Sequence, residues 1–333
     1  MTRVAVTGAS GFIAGWCVAQ LLDQGHEVVA TIRSPRREAD VRAVVGGSAS
    51  AALSFGIADL GHDDGWDDAL AGCEVVLHVA SPMSVDEADA DAMITEAVEG
   101  TLRVLAAADR VGVRRVVMTS SCAAATPDGS QLSGSVDETC WTDPNEPGLS
   151  AYRRSKTIAE RAAWDFVSGG RSFSLTTILP AAVFGPARSP VALGPLGIIS
   201  ALLDGSALAI PRLGFEIVDV RDVAAAHLLA MNSAEAESQR FIVSGDLLWF
   251  GEMADALRAH LGRDAASVPS ATLTDDEFRS IAEMSPQLAG LLPLLGRALE
   301  HSSAKAHDVL GWRARPAVDT VVDSARFLLA QAG

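Results

Sequence analysis

Lysine and tyrosine are almost missing from this chain of 333 residues, which holds one tyrosine, Tyr152, and two lysines, Lys156 and Lys305. Carboxylates outnumber lysine and arginine 42 to 26, leaving a formal charge of −16. Such a field repels phosphate backbones and anionic bilayers, so nucleic acid and membrane surfaces are poor partners. A phosphate ligand would need a locally built site. No apolar run reaches membrane-spanning length, and the start of the chain lacks the basic and apolar segments of a secretory signal. The four cysteines, Cys17, Cys73, Cys122 and Cys140, show no CxxC spacing. A reducing, cytoplasmic setting is therefore expected. No metal site is expected either: the acidic stretch GHDDGWDDALAG (61–72) reads as an exposed helix start, where carboxylates favour the helix dipole.

What is present is an apolar content of 49 %, enough for a large core, distributed as short β-branched runs alternating with longer amphipathic segments. This alternation is the signature of βαβ units building a parallel sheet. Strands are predicted at 4–7, 27–31, 53–57, 75–79, 115–119 and 174–179, and helices at 12–24, 91–111 and 151–166. Gly25 suits the left-handed position that ends the first helix. Beyond Pro180 the pattern changes: Gly and Pro cluster in FGPARSPVALGPLG, followed by a short strand at 216–219 and a helix through DVAAAHLLAMN. The expected fold is α/β, a Rossmann-type doubly wound parallel sheet with a smaller, mixed C-terminal substrate lobe. Residues 1–185 and about 215–245 would form the first part, and about 186–214 and 246–333 the second.

The sequence VAVTGASGFIAGW puts Gly8, Gly11 and Ala14 directly after the first strand and at the opening of a helix. Glycine at the first position permits a tight turn, glycine at the second lets backbone approach a pyrophosphate, and alanine lets helix and strand pack closely. The turn Gly8, Ala9, Ser10, Gly11, Phe12 and Ile13 is thus a candidate dinucleotide cradle. At the end of the second strand, where a carboxylate would signal NAD, stands Arg33, followed by Arg36 and Arg37. Guanidinium groups there match a 2′-phosphate and point to NADP(H); the alternative is a loop of ordinary surface arginines.

Ligands of open α/β sheets lie outside the carboxyl ends of the strands. Three stretches occupy such ends here: HVASP (78–82), MTSSCAAA (118–125) and LPAAVFGP (179–186). Carbonyl reduction needs a donor that polarises the oxygen and an acid that protonates it. Thr119 closes its strand and is expected among the cofactor contacts, and Ser120 or Ser121 can polarise. In SAYRRSKTIAER, Tyr152 and Lys156 stand four apart, on one face of the predicted helix. Random placement of so few residues gives that offset with a probability of roughly 0.6 %. A free phenol titrates near 10, so the ammonium of Lys156 is expected to lower the pKa of Tyr152 and fit it for proton transfer. Arg153 and Arg154 read as surface charges, His227 as a structural histidine in an apolar helix, and Cys122 as a residue lining the site.

The ordered segments TGASGFIA, TIRSP, ADL, HVASP, AVEGTLRVL, TSS, YRRSK, LPAAVFGP and DVRDVAAAHLLAM resemble the extended short-chain dehydrogenase/reductase family. Within it they resemble most the group of dihydroflavonol reductase, cinnamoyl-CoA reductase and yeast-type aldehyde (carbonyl) reductase. The resemblance covers most of residues 1–245. It implies that Ser121 is the catalytic serine beside Tyr152 and Lys156, and that Lys156 also hydrogen-bonds the nicotinamide ribose. It places Asp59 and Leu60 at the adenine, Val79, Ala80 and Ser81 along the ribose, and Pro180 to Val183 against the nicotinamide. Thr126 stands where plant flavonoid reductases carry a substrate-orienting Asn, which argues against a polyphenol substrate.

The function these features imply is NADPH-dependent reduction of a small, fairly hydrophobic ketone or aldehyde by a monomer or homodimer. Two alternatives remain. A nucleotide-sugar epimerase or dehydratase of the same fold would need basic side chains for a diphosphate, whereas PVALGPLGIISALLDGSALAIP (190–211) is strongly apolar. A non-catalytic NADP(H)-binding sensor would have no need of Tyr152 and Lys156. Trp249, Met253 and LAGLLPLLGRAL (288–299) are either pocket lining or plain core.

Overall fold

A computed structural model describes residues 1–45, 50–82, 90–188 and 194–332; part of the glycine- and proline-rich stretch at 185–195 therefore lies outside the described residues. The strands are β1 (Arg3–Val6), β2 (Glu27–Ile32), β3 (Leu53–Ile57), β4 (Val75–His78), β5 (Arg115–Thr119), β6 (Ser133–Val136), β7 (Ser174–Pro180), β8 (Ala182–Phe184), β9 (Gly214–Asp219), β10 (Gln239–Val243), β11 (Leu247–Trp249) and β12 (Ala298–His301). The helices are α1 (Phe12–Asp23), α2 (Glu38–Val45), α3 (Trp66–Leu70), α4 (Ala90–Arg110), α5 (Ala151–Ser168), α6 (Leu196–Asp204), α7 (Val220–Asn232), α8 (Phe250–Leu261), α9 (Asp275–Ala282), α10 (Pro286–Ala289), α11 (Ala304–Leu310) and α12 (Ala317–Ala332).

Seven strands form the main sheet in the order β10-β7-β5-β4-β1-β2-β3, every pair parallel. The order reverses between β1 and β4, the crevice where doubly wound sheets take their ligands. Strand residues alternate between two cores, as the two-residue period requires. Val4, Val6, Val28, Ala30 and Val117 pack on the side of α1, α7 and α11. Ala5, Val29, Val76, Val116 and Met118 pack on the opposite side, against α3, α4 and α5. The acidic stretch does open a helix: Asp67 and Asp68 lie in the first turn of α3, and Asp67 is held below the usual carboxylate range by its bond to Arg110.

The second region has its own sheets. β8, β9 and β11 make a three-stranded sheet, and β6 pairs with β12 in another. A third core, built from Phe184, Leu196, Ile199, Ile217, Met253 and Val321 among others, unites α6, α8 and α12 with the smaller sheet. Met253 is fully buried there and is plain core, while Trp249 is half-buried. The strand expected at 216–219 belongs to this smaller sheet, and the seventh strand of the main sheet is β10. Among the described residues, no helix is long and apolar enough to cross a membrane.

Candidate active site

The carboxyl edge of the main sheet is organised by backbone first. Gly8 takes φ +66°, a left-handed conformation, and a Cβ there would stand 3.0 Å from the Cβ of Ala80. Only glycine therefore lets β1 turn so close to β4. α1 then opens at Gly11 with no side-chain cap and no acidic residue in its first turn, which leaves backbone N–H groups and the positive end of the helix dipole open to an anion. Ala14 is buried beneath the turn. Ala9, Ser10, Phe12 and Ile13 complete the cradle, with Ala9 buried and the other three half-buried.

Thr7 and His78 fasten the two central strands. The Thr7 Oγ1 accepts from the N–H groups of Val79 (3.0 Å) and Ala80 (2.9 Å), and it lies 2.9 Å from His78 Nδ1. Burial, reinforced by the charge of Lys156, drives His78 down to about 3. The imidazole is neutral, and its Nδ1 accepts the threonine proton. Val79, Ala80 and Ser81 are thereby held half-buried at the mouth of the crevice.

Arg33, Arg36 and Arg37 cluster, exposed, after β2, in a tight turn capped by Ser34, whose side chain accepts from the Arg36 N–H. Arg37 is paired with Asp40 at 2.9 Å. Arg33 and Arg36 have no carboxylate partner among the described residues. Asp59 follows β3 and caps its own turn by accepting from Gly61 N–H at 2.9 Å; Leu60 beside it is buried. Pro180 ends β7, and Val183 lies in β8. These residues fit a dinucleotide phosphate cradle with a cationic rim. Thr119, expected among the cofactor contacts, ends β5 with its side chain buried and Oγ1 2.7 Å from His227 Nε2.

The reactive groups gather on α5 and at the end of β5. Ser150 caps α5 by accepting from the Arg153 N–H, which fixes the first turn and with it Tyr152. The Tyr152 hydroxyl donates to Ser121 Oγ at 3.5 Å, and the Lys156 ammonium lies 5.9 Å from the tyrosine ring centroid. Ser121 Oγ also accepts from Ala123 N–H at 3.1 Å. The two serines are thus distinguished by geometry, because Ser120 Oγ donates instead to the buried carboxylate of Glu160 at 2.7 Å.

The electrostatics differ from the sequence expectation. Desolvation of the hydroxyl pushes the Tyr152 phenol upward although the side chain as a whole is 39 % exposed, and the hydrogen bond with Ser121 pulls it back in part. The Lys156 ammonium lies beside the ring, 5.9 Å from its centroid, and is itself only 8 % exposed. Burial brings Lys156 down to about 8, and the nearby carboxylate of Glu160 opposes that fall. Arg153 is also more than a surface charge: it is half-buried, and burial lowers its pKa against the favourable charge of Glu146. Arg154 donates to the Pro144 carbonyl at 3.0 Å.

His227 is structural, with Nδ1 2.8 Å from the Val223 carbonyl and burial holding it near 4. Cys122 is buried and donates to the Leu179 carbonyl. Thr126 is also buried; its hydroxyl donates to the Cys122 carbonyl at 2.7 Å and lies 3.0 Å from His301 Nε2. Sequence reasoning missed Thr7, His78 and Glu160. The last could have been found, because Tyr152, Lys156 and Glu160 continue one four-residue spacing along α5.

The chain is similar to known proteins over most of its length. Residues 4–244 match the model of the family described as "NAD dependent epimerase/dehydratase family". A cinnamoyl-CoA reductase of Medicago truncatula is 36 % identical over 306 residues, covering 90 % of this chain and 92 % of the relative. The crystal structure of Gre2 from Candida albicans in complex with NADPH superposes with a TM-score of 0.84 at 26 % identity, covering 100 % of both chains. The yeast methylglyoxal/isovaleraldehyde reductase Gre2, complexed with NADPH, gives 0.79 at 26 % identity, covering 99 % of each chain.

Proposed function

We propose, from the premise that the chain belongs to the NAD dependent epimerase/dehydratase family and is an NADP-dependent oxidoreductase of its extended short-chain branch, that it reduces a ketone or aldehyde to an alcohol. The observation that carries this reading is the convergence of Ser121, Tyr152 and Lys156 at the carboxyl edge of the sheet. The relatives named as carbonyl-reducing enzymes support it.

The seven-stranded sheet and its helices would hold NADP(H), and the region around β8, β9 and β11 would form the substrate lobe; the expected boundaries shift because β8 and β9, within 1–185 and about 215–245, belong to the smaller sheet. The Gly8–Gly11 turn and the open start of α1 would receive the pyrophosphate, and Arg33 the 2′-phosphate. Asp59 and Leu60 would lie at the adenine, Val79 to Ser81 along the ribose, Pro180 and Val183 at the nicotinamide. When bound, the cofactor supplies a hydride from nicotinamide C4.

The protein's own residues handle the oxygen and the proton. Ser121 accepts from Ala123 N–H and Tyr152 OH, so its own proton is available to polarise the substrate carbonyl. Tyr152 delivers a proton to that oxygen as negative charge develops on it. Lys156 stabilises the phenolate that remains until solvent returns the proton. One carbonyl, one hydride and one proton give one alcohol, and the sequence reverses with alcohol and NADP⁺.

The half-buried apolar side chains of the smaller region, including Ile198, Leu248 and Leu295, favour an uncharged, hydrophobic substrate. The test is a panel of aryl ketones, β-keto esters, aldehydes and flavanones, with loss of NADPH absorbance as the readout. Activity on at least one carbonyl that disappears in Tyr152→Phe is expected. No activity across the panel, or a rate that survives the substitution within a few-fold, overturns the reading.

A further inference from the structure

Behind the candidate triad lies a charge pair that nothing in the carbonyl chemistry calls for directly. Glu160 is completely buried on α5, yet its carboxylate is fully solvated by protein. Oε2 accepts from Ser120 Oγ (2.7 Å) and Arg240 Nη2 (3.1 Å). Oε1 accepts from Thr177 Oγ1 (2.7 Å), Arg240 Nε (2.9 Å) and Trp164 Nε1 (3.3 Å). A buried carboxylate persists as an anion only with such compensation. Arg240, on β10, is equally committed. Its Nη1 donates to the carbonyls of Glu138 (2.6 Å) and Cys140 (2.9 Å), and its guanidinium lies 3.5 Å from the Trp141 ring centroid.

The pair therefore joins α5 to the end of β5, through Ser120, and to β7 and β10, through Thr177 and Arg240. Two consequences follow from the geometry. The Ser120 proton is spent on Glu160, which orients the Ser120–Ser121 turn and leaves Ser121 alone facing Tyr152. Glu160 also stands one helical turn from Lys156. Among the described residues, the groups acting on that ammonium are the Tyr152 ring and Glu160 from its own helix and His78 from β4, while the phenol itself faces Ser121 and Cys122 from the end of β5. His78 is neutral, so Glu160 supplies the opposing charge, with Arg240 as the cation behind it.

We propose that Glu160 and Arg240 are a positioning pair for the reaction: the carboxylate orders the paired serines and holds the buried ammonium of Lys156 in its charged form, while the guanidinium limits how strongly it does so. This rests on the reading of Ser121, Tyr152 and Lys156 given above.

The two charges should act on the site with opposite sign. In Glu160→Gln, loss of the anion disfavours the ammonium and favours the phenolate, so the alkaline limb of kcat for NADPH-dependent reduction moves down by roughly one pH unit. In Arg240→Gln the carboxylate still accepts from Ser120, Thr177 and Trp164 and still stands one turn from Lys156, but it loses its covering cation, which moves the limb up. The double variant E160Q/R240Q removes both charges at nearly constant volume and should place the limb between E160Q and the wild type. A pair that serves only to hold the fold would lower kcat or stability without moving the limb. An unmoved limb, or shifts of the same sign in the two single variants, overturns the proposal.

If a single variant does not fold, the double variant decides: a limb at the wild-type position overturns the proposal. A readout independent of turnover exists because Tyr152 is the chain's one tyrosine. Its tyrosinate ultraviolet band titrates this phenol alone, and its midpoint should fall in E160Q and rise in R240Q. If the wild type reduces no carbonyl, the reading of the site fails, and the tyrosinate midpoints still test the pair.

Discussion

The hydroxyl of Tyr152 lies 3.5 Å from the Oγ of Ser121, across 31 positions of sequence, and this contact links the end of β5 to the first turn of α5. Ser120, its neighbour, faces the other way, toward Glu160. Ser121→Ala should therefore lower kcat by about 10²-fold, the usual cost of losing one donor to a developing oxyanion, with affinity for NADPH unchanged. Steady-state kinetics alongside fluorescence titration with NADPH would separate the two. A kcat within a few-fold of the wild type would remove Ser121 from the reaction.

Cofactor choice should rest on Arg33 more than on Arg37, because Arg37 already shares its charge with Asp40. Arg33→Asp should raise KM for NADPH by at least about tenfold, the worth of one charge-assisted phosphate contact, while leaving KM for NADH nearly unchanged. Arg37→Asp should do less. Equal effects on the two cofactors would refute the assignment.

Two glycines with similar backbone angles should respond differently. Gly8 (φ +66°) faces Ala80 Cβ at 3.0 Å, whereas Gly25 (φ +79°) has nothing within 4 Å of an added Cβ. Gly25→Ala should cost only the left-handed strain, about 1–2 kcal/mol. Gly8→Ala adds a clash with Ala80, just past β4, and should lower the melting temperature further and weaken NADPH binding as well. Thermal melts with and without NADPH measure both effects, and equal losses at the two positions would contradict the close approach.

The main sheet was largely legible because parallel strands buried on both faces declare themselves as short β-branched runs between amphipathic segments. Gly8, Gly11, Tyr152 and Lys156 could be picked out because each stands at a fixed offset from such an element. What escaped depends on distant pairings. β10 completes the sheet from 239 onward, and β6 meets β12 across more than 150 residues of chain. Glu160 finds Arg240 eighty positions away, and no local period announces a partner at that range. The behaviour of the Tyr152 phenol was misjudged for a related reason. The four-residue spacing brings the ammonium near the ring, but desolvation of the hydroxyl raises the phenol's pKa in a side chain that is still 39 % exposed, and that environment is a property of the assembled fold.

Two buried histidines should make the protein acid-sensitive. His78 is held near 3 and His227 near 4, both from an ordinary 6.5 and both by burial. Below pH 6.5 the unfolded chain takes up protons that the native state refuses, so the stability these residues contribute is full above that value and lost as pH falls toward the native values. Urea unfolding at pH 7 and pH 5 should show the loss. In His227→Gln the dependence on pH should be shallower, whatever the absolute stability; an unchanged slope would mean the histidine does not titrate on unfolding.

Lys156 is the opposite case, a residue retained against stability. Its ammonium is brought from 10.5 to about 8 by burial despite the help of Glu160. Between those values the unfolded chain binds a proton that the native state has released, so stability rises with pH across the window, and the cost of the buried charge is present in full below pH 8. Removing the ammonium does not orphan Glu160, which keeps both of its hydrogen bonds to Arg240. Lys156→Met should therefore melt at or above the wild-type temperature at pH 7, lose that advantage by pH 10, and fall in kcat by at least about 10²-fold, as expected for a group that supports proton transfer. A melting temperature several degrees below the wild type at pH 7 would show instead that the ammonium holds the fold together, and would leave its place beside the only tyrosine without a chemical reason.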